Sequence, residues 1–168
     1  MITVWRATHR DADAVTGLLV EFRDHMGHSW PPDESFAASV RQLIGRADGE
    51  FWLAATEPGA TPSAVCQLRF RHSVWTATED CWLEDLYVRD QARRRGLARA
   101  LVERAIDHVR DRGCRRVELD ATEDNIGALA LYARLGFSDT SKGGSRSLCL
   151  GLRLDAPATA AADPPRAR

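Results

Sequence analysis

The sequence of 168 residues predicts an α/β or α+β fold, one β-sheet with helices packed on it. Strand-like and helical segments follow one another in the order strand, helix, helix, several strands, helix, strand, helix, strand. The length suits one domain with a core of its own. The 44% apolar and 28% charged fractions are ordinary for a soluble globular chain. There is no internal repeat to suggest a solenoid.

Ile2–Arg6 reads as a first strand. Thr8 with Asp11 three residues on is a capping-box variant, and acids in a first turn suit the helix dipole. Ala14, Val15, Leu18, Leu19 and Phe22 fall at helical spacing, which predicts a helix from Asp11 to about Met26. Pro31 and Pro32 break the chain before a weaker helix over Ser35–Arg46. Phe51–Ala55 and Ala64–Arg71 are strands flanking the turn residues Glu57–Ser63, an antiparallel hairpin. Cys81–Val88 is the next strand. Gly96–Asp111 is a strongly amphipathic helix, with Gly113 placed as its C-terminal cap. Arg116–Ala121 reads as a strand, Ile126–Leu135 as a helix stopped by Gly136, and Leu148–Leu154 as a last strand. The Ala- and Pro-rich run 155–168 reads as a disordered tail, leaving a single domain over 1–154.

A net charge of -1 gives no global basic field for nucleic acid, and no aromatic residues interleave with the arginines of 93–95. The N-terminus carries charges where a signal peptide needs an apolar core, and no run approaches the ~18 apolar residues of a membrane helix. A cytoplasmic protein is expected. Cys66, Cys81, Cys114 and Cys149 lie far apart with no CxxC pair, so free thiols are expected and neither a zinc knuckle nor a redox motif. His25 and His28, without a third ligand nearby, read as surface histidines rather than a metal site.

The informative stretch is Leu83–Phe137. A strand ends at Val88, a polar loop follows, and Arg93-Arg94-Arg95-Gly96-Leu97-Ala98 opens a helix. A basic loop leading into free helix N–H groups is a place for an anion, and Gly96 lets backbone approach a phosphate. Taken alone, the same run also reads as a solvated loop before a surface helix.

Arg93-x-x-Gly96-x-Ala98 resembles the pyrophosphate-binding signature of the GNAT acetyltransferases, [QR]-x-x-G-x-[GA], and stands just after a strand ending in an aliphatic residue, as it does there. Asn125-x-x-Ala128-x-x-Leu131-Tyr132-x-x-x-Gly136-Phe137 resembles the family's second signature, with one helix and one strand between the two. Arg94 and Ala98 stand where that family often has glycine. The resemblance covers 83–137 closely and the rest through element order. It implies a mixed, mostly antiparallel sheet with helices on both faces and fourth and fifth strands that splay apart. It also implies acetyl-CoA as cosubstrate, no metal, and transfer of acetyl to an amine. Many of its members are dimers, but no segment here identifies an interface.

By that resemblance the backbone of Leu86, Tyr87 and Val88 pairs with the pantetheine arm, and the amides of Arg94, Arg95, Gly96, Leu97 and Ala98 hold the pyrophosphate behind Arg93. Asn125 bonds the arm from the other side and Ala128 leaves room for it. An N–H near Val88 is the oxyanion contact. Tyr132 is the general acid, the competing reading being a core tyrosine. The Leu83-Glu84-Asp85 pattern is similar to that of the diamine and polyamine branch, where the first acid is a base. Glu84 as base and Glu84 as an ion-pair partner stand open together. Glu84 and Asp85 point to opposite faces unless a bulge re-aims both. Asp85 and Trp30 are the candidate acceptor contacts, with Trp75 and Trp82 open to the same question. A small primary amine is the first acceptor class, since the bulky Trp30–Phe36 segment tends to close a groove. A protein N-terminus or lysine, and a non-catalytic acyl-CoA sensor, are the alternatives.

Overall fold

The computed structural model describes residues 1–141 and 143–152. The chain divides into two compact units, Met1–Thr122 and one that begins at Glu123.

The first unit is built on a sheet whose strand order follows the chain. β1 (Thr3–Arg6), β2 (Gly49–Ala55), β3 (Ala64–Ser73) and β4 (Thr78–Val88) are antiparallel neighbours, and β5 (Val117–Glu118) lies parallel to β4. Antiparallel neighbours need only short turns, whereas the parallel step needs a crossover, supplied here by α3 (Leu97–Asp111). Every residue of β2 is buried, because helices cover both faces of the sheet. On one face Val15, Leu18 and Leu19 of α1 (Ala12–His25) and Val40 of α2 (Asp33–Leu43) form a cluster with Phe51, Leu53, Val65 and Tyr87. On the other, α3 brings His108 to 5.0 Å from the ring of Trp52, and Arg112, capping its C-terminal end, lies 4.0 Å above Phe70.

Local chemistry fixes the element ends. The N–H and the hydroxyl of Thr8 both donate to Asp11 at 2.8 Å, closing a helical turn at His9–Asp11 that runs into α1. Burial works to raise the Asp11 pKa, but the bonds from Thr8 and Trp5 outweigh it and hold the carboxyl below its usual range. Gly113, at φ 85, ends α3. β2 starts two residues before the expected Phe51 because Glu50 is accommodated inside. Its buried carboxylate has Arg6 at 3.2 Å, Arg112 at 3.4 Å and His108 at 2.9 Å, and accepts from the Trp52 indole N–H at 3.1 Å. The cysteines among the described residues are free thiols, and burial pushes Cys81 up to about 12.

The strand expected over Arg116–Ala121 is shorter than its pattern suggests. Pairing with β4 covers Cys81↔Val117 and Trp82↔Glu118 and then stops, so the later residues have no strand partner among the described residues to complete a ladder.

The second unit holds α4 (Ile126–Arg134), capped by Asn125, whose side-chain oxygen accepts from the Ala128 N–H at 3.2 Å. Gly136, at φ 91, follows it. The strand expected from Leu148 is not formed over residues 148–152. There Leu148, Leu150 and Leu152 are all exposed, so the alternating apolar face has nothing described to pack against. Residues 153–154 and the expected tail 155–168 lie outside the described residues.

Candidate active site

β4 is the axis of the site. Once pairing with β5 ends at Trp82, the edge of β4 from Leu83 to Val88 has no strand partner among the described residues, while the opposite edge stays paired to β3. An open edge displays a row of N–H and C=O groups that an extended amide-bearing ligand can pair with. Leu86 and Val88 lie on it, as does Tyr87. The Tyr87 ring is buried and stacks on Phe22 at 5.3 Å, so this residue offers its backbone alone.

At the C-terminal end of β4 the chain turns through Asp90–Ala92 into α3. The N–H groups of Arg94, Arg95, Gly96, Leu97, Ala98 and Arg99 donate to no backbone carbonyl among the described residues. That run of amides at a helix N-terminus is a cradle for an anion. Two left-handed residues shape it, Arg94 at φ 60 and Gly96 at φ 86. A glycine is at ease in that conformation and an arginine is not, which accounts for the glycine that the related signature often carries at position 94. The Arg93 side chain, though exposed, staples the loop. Its Nε donates to the Val88 carbonyl at 3.1 Å, and its guanidinium lies 2.9 Å from Asp90 and 3.2 Å from His25 Nε2. The side chains of Arg94 and Arg95 are exposed and make no ion pair among the described residues. Arg89 fixes the loop from behind through a two-pronged pair with Glu21, the shortest contact 2.7 Å.

Toward its other end β4 carries a bulge. Gln67 pairs with Asp85 and Leu68 with Leu83, leaving Glu84 as the extra residue. The simple opposite-face alternation of Glu84 and Asp85 therefore does not apply. Glu84 is exposed and Asp85 is partly buried. Burial, with the Glu84 and Asp120 carboxylates adding repulsion, pushes Asp85 up to about 6. Beside the bulge lies an open concavity of 480 Å³ lined by Arg69, Phe70, Arg71, Trp82 and Glu84.

The remaining candidates are placed elsewhere. Trp30 is 45% exposed in the loop between α1 and α2 and does not line that concavity. Arg23 organises this loop, donating to the Pro31 carbonyl at 2.6 Å and pairing with Asp33 at 2.8 Å. Trp75 projects from the turn between β3 and β4, 94% exposed. Tyr132 is buried in the second unit, edge-on to Phe137 at 5.6 Å. Ala128 sits in the first turn of α4, and its N–H is taken by the Asn125 cap. No three-residue cluster of His, Cys, Asp or Glu suited to a metal occurs among the described residues, and no described helix is long and apolar enough to cross a membrane.

The model of the acetyltransferase (GNAT) family matches residues 15–137. The chain belongs to the GNAT acetyltransferase family. As a member it is an acetyl-CoA-dependent acyltransferase, with the mixed α/β fold of that family. The aminoglycoside N(6')-acetyltransferase type 1 of Stenotrophomonas maltophilia is 29% identical over 143 residues, covering 83% of this chain and 88% of that protein. The thialysine N-epsilon-acetyltransferase of Caenorhabditis elegans is 33% identical over 84 residues, covering 50% of this chain and 52% of that protein. A solved structure from Arthrobacter sp. FB24, itself named only as an acetyltransferase, shares 28% identity at a TM-score of 0.80, covering 90% of this chain and 95% of that one.

The residues present fit acetyl-CoA: a run of unspent amides would suit its pyrophosphate, and a strand edge unpaired among the described residues would suit its amide-bearing arm. Sequence reading passed over Arg69 and Arg71. A signal was there, since Gln67, Arg69 and Arg71 alternate with Leu68 and Phe70 along β3, the period of a strand with one polar face.

Proposed function

We propose that this GNAT enzyme transfers the acetyl group of acetyl-CoA to a primary amine of a small molecule. One observation carries the reading: a single strand joins the anion cradle, an open edge and a base. β4 has an amide cradle at its C-terminal end, an open edge from Leu83 to Val88, and a carboxylate of raised pKa at the far end of that edge. Small-molecule amines are what the relatives from S. maltophilia and C. elegans are named for.

Acetyl-CoA supplies an acyl group activated as a thioester. Arg94 to Ala98 hold its pyrophosphate through backbone N–H groups, and Leu86 to Val88 align its arm. An amine attacks only when neutral, so a base is needed. A base works best with a pKa near the working pH. Asp85 meets that condition, and we assign it the proton transfer that the resemblance gives to Glu84. Glu84, exposed at the mouth of the concavity, draws a cationic acceptor in. As the N–C bond forms and the C–S bond breaks, a proton goes to the sulfur, a role that the resemblance gives to Tyr132. Of the two protons that the ammonium loses, one goes to Asp85 and then to water, and the other balances the proton given to the sulfur.

The test is thiol release from acetyl-CoA against amino acids, polyamines, aminoglycosides and short peptides, with acetyl-CoA-induced thermal stabilisation recorded alongside. Release with small amines and not with peptides is the expected outcome. Stabilisation without release on any amine would mean a binding module instead. Tyr132→Phe is expected to lower kcat by roughly 100-fold with acetyl-CoA affinity nearly unchanged. Unchanged turnover would remove Tyr132 from the mechanism.

A further inference from the structure

The register between β3 and β4 sets side chains in a row on one face of the sheet. Arg69 stands opposite Trp82 and Gln67 opposite Asp85, with Glu84 bulging between Leu83 and Asp85. A step of two residues along a strand is about 7 Å and neighbouring strands lie about 4.8 Å apart, so the basic position on β3 and the acidic one on β4 sit roughly 8–9 Å apart, with an aromatic ring beside the basic one. The acidic end coincides with the end of the open edge assigned to the pantetheine arm, and the concavity begins there.

The two arginines in the concavity are not equivalent. Arg71 is committed to Glu118 at 2.8 Å. The Arg69 side chain makes no hydrogen bond among the described residues, and its carboxylate neighbour Asp48 stands 3.8 Å off. Asp48 is itself already gripped by Arg46 at 2.6 and 2.9 Å. The Arg69 side chain is 34% exposed and faces the concavity with its donors unspent. A guanidinium in that condition receives carboxylates, with which it forms paired charge-assisted bonds.

We propose, building on the acetyltransferase reading, that the acceptor is a zwitterionic amino acid with a terminal side-chain amine. Its carboxylate binds Arg69, its methylene stem lies along Trp82, and its amine reaches Asp85 and Glu84. The diagonal between the basic and acidic positions is of the same order as the span from carboxylate to amine of an extended lysine. Purely cationic acceptors such as polyamines would set positive charge against Arg69 and leave its donors unused.

The experiment compares acceptors matched in stem and amine: L-lysine, lysine methyl ester, and cadaverine, which lacks the carboxylate. Thiol release from acetyl-CoA is followed with the unaltered protein, Arg69→Met and Arg69→Lys. Lysine is expected to exceed the other two by about tenfold or more in kcat/KM. In Arg69→Met that preference collapses, chiefly through KM, and Arg69→Lys recovers part of it. Acetyl-CoA stabilisation of each variant, expected to be unchanged, reports that fold and cosubstrate site are intact. Equal or faster reaction of cadaverine or the ester overturns the zwitterion assignment and leaves the acetyltransferase reading standing. No release from any of the three overturns the assignment as well. Spermidine and an aminoglycoside in the same plates then show whether the broader reading falls with it.

Discussion

At the scale of the residue, Asp85 carries the sharpest consequence. Its pKa of about 6 stands above the ordinary 3.8, chiefly through burial. Between those values the folded state keeps a proton that the unfolded state has lost. Stability therefore falls as pH rises through that window, and above it the charged, partly buried carboxylate remains a cost. Asp85→Asn should flatten this pH dependence and raise stability at neutral pH by roughly 1–2 kcal/mol, read from urea unfolding at several pH values. The same change should cut kcat/KM roughly 100-fold or more, because the base is gone. In the unaltered enzyme kcat/KM should climb toward a plateau above pH about 6. A variant that is less stable and fully active would remove Asp85 from the base role. None of this was legible in the residue pair alone. Sequence shows two neighbouring acids, and a bulge placed by the register at Gln67 and Leu68 distinguishes them.

At the scale of the element, the loop into α3 was the most legible part of the chain. Gly96 identified it, and the left-handed φ of 86 shows why a glycine stands there. A Cβ at that position would meet Ile2 Cδ1 at 3.4 Å as well as the strained backbone. Gly96→Val should cost about 1–2 kcal/mol of stability and raise the KM for acetyl-CoA several-fold with kcat for saturated enzyme little changed, since the cradle is distorted and the acceptor site is not. An unchanged KM would argue that these amides do not hold the pyrophosphate. Short elements were the least legible. Arg116–Ala121 has a strand's composition, yet a strand exists only as far as a neighbour pairs with it, and β4 and β5 part after Glu118.

At the scale of the whole molecule, stability rests on helices held to both faces of the sheet in the Met1–Thr122 unit. Leu18 of α1 and Leu101 of α3 are each fully buried, on opposite faces. Leu18→Ala and Leu101→Ala should each cost about 2–5 kcal/mol, with the double variant close to the sum, since the sheet separates the two sites. Chemical denaturation of the single and double variants checks this. A double variant much less destabilised than the sum would mean that the layers are coupled.

The sequence by itself determined the periodic elements, the family-like signatures and the loop whose glycine needs a positive φ. These depend on neighbours within a few residues, where propensity, capping and spacing act. Tertiary structure alone decided which acid is buried, where β4 loses its partner, and that Arg69 faces a concavity with its donors unspent. Those properties are set by what lies across a strand or under a helix, and burial, desolvation and pairing arise only when distant segments meet.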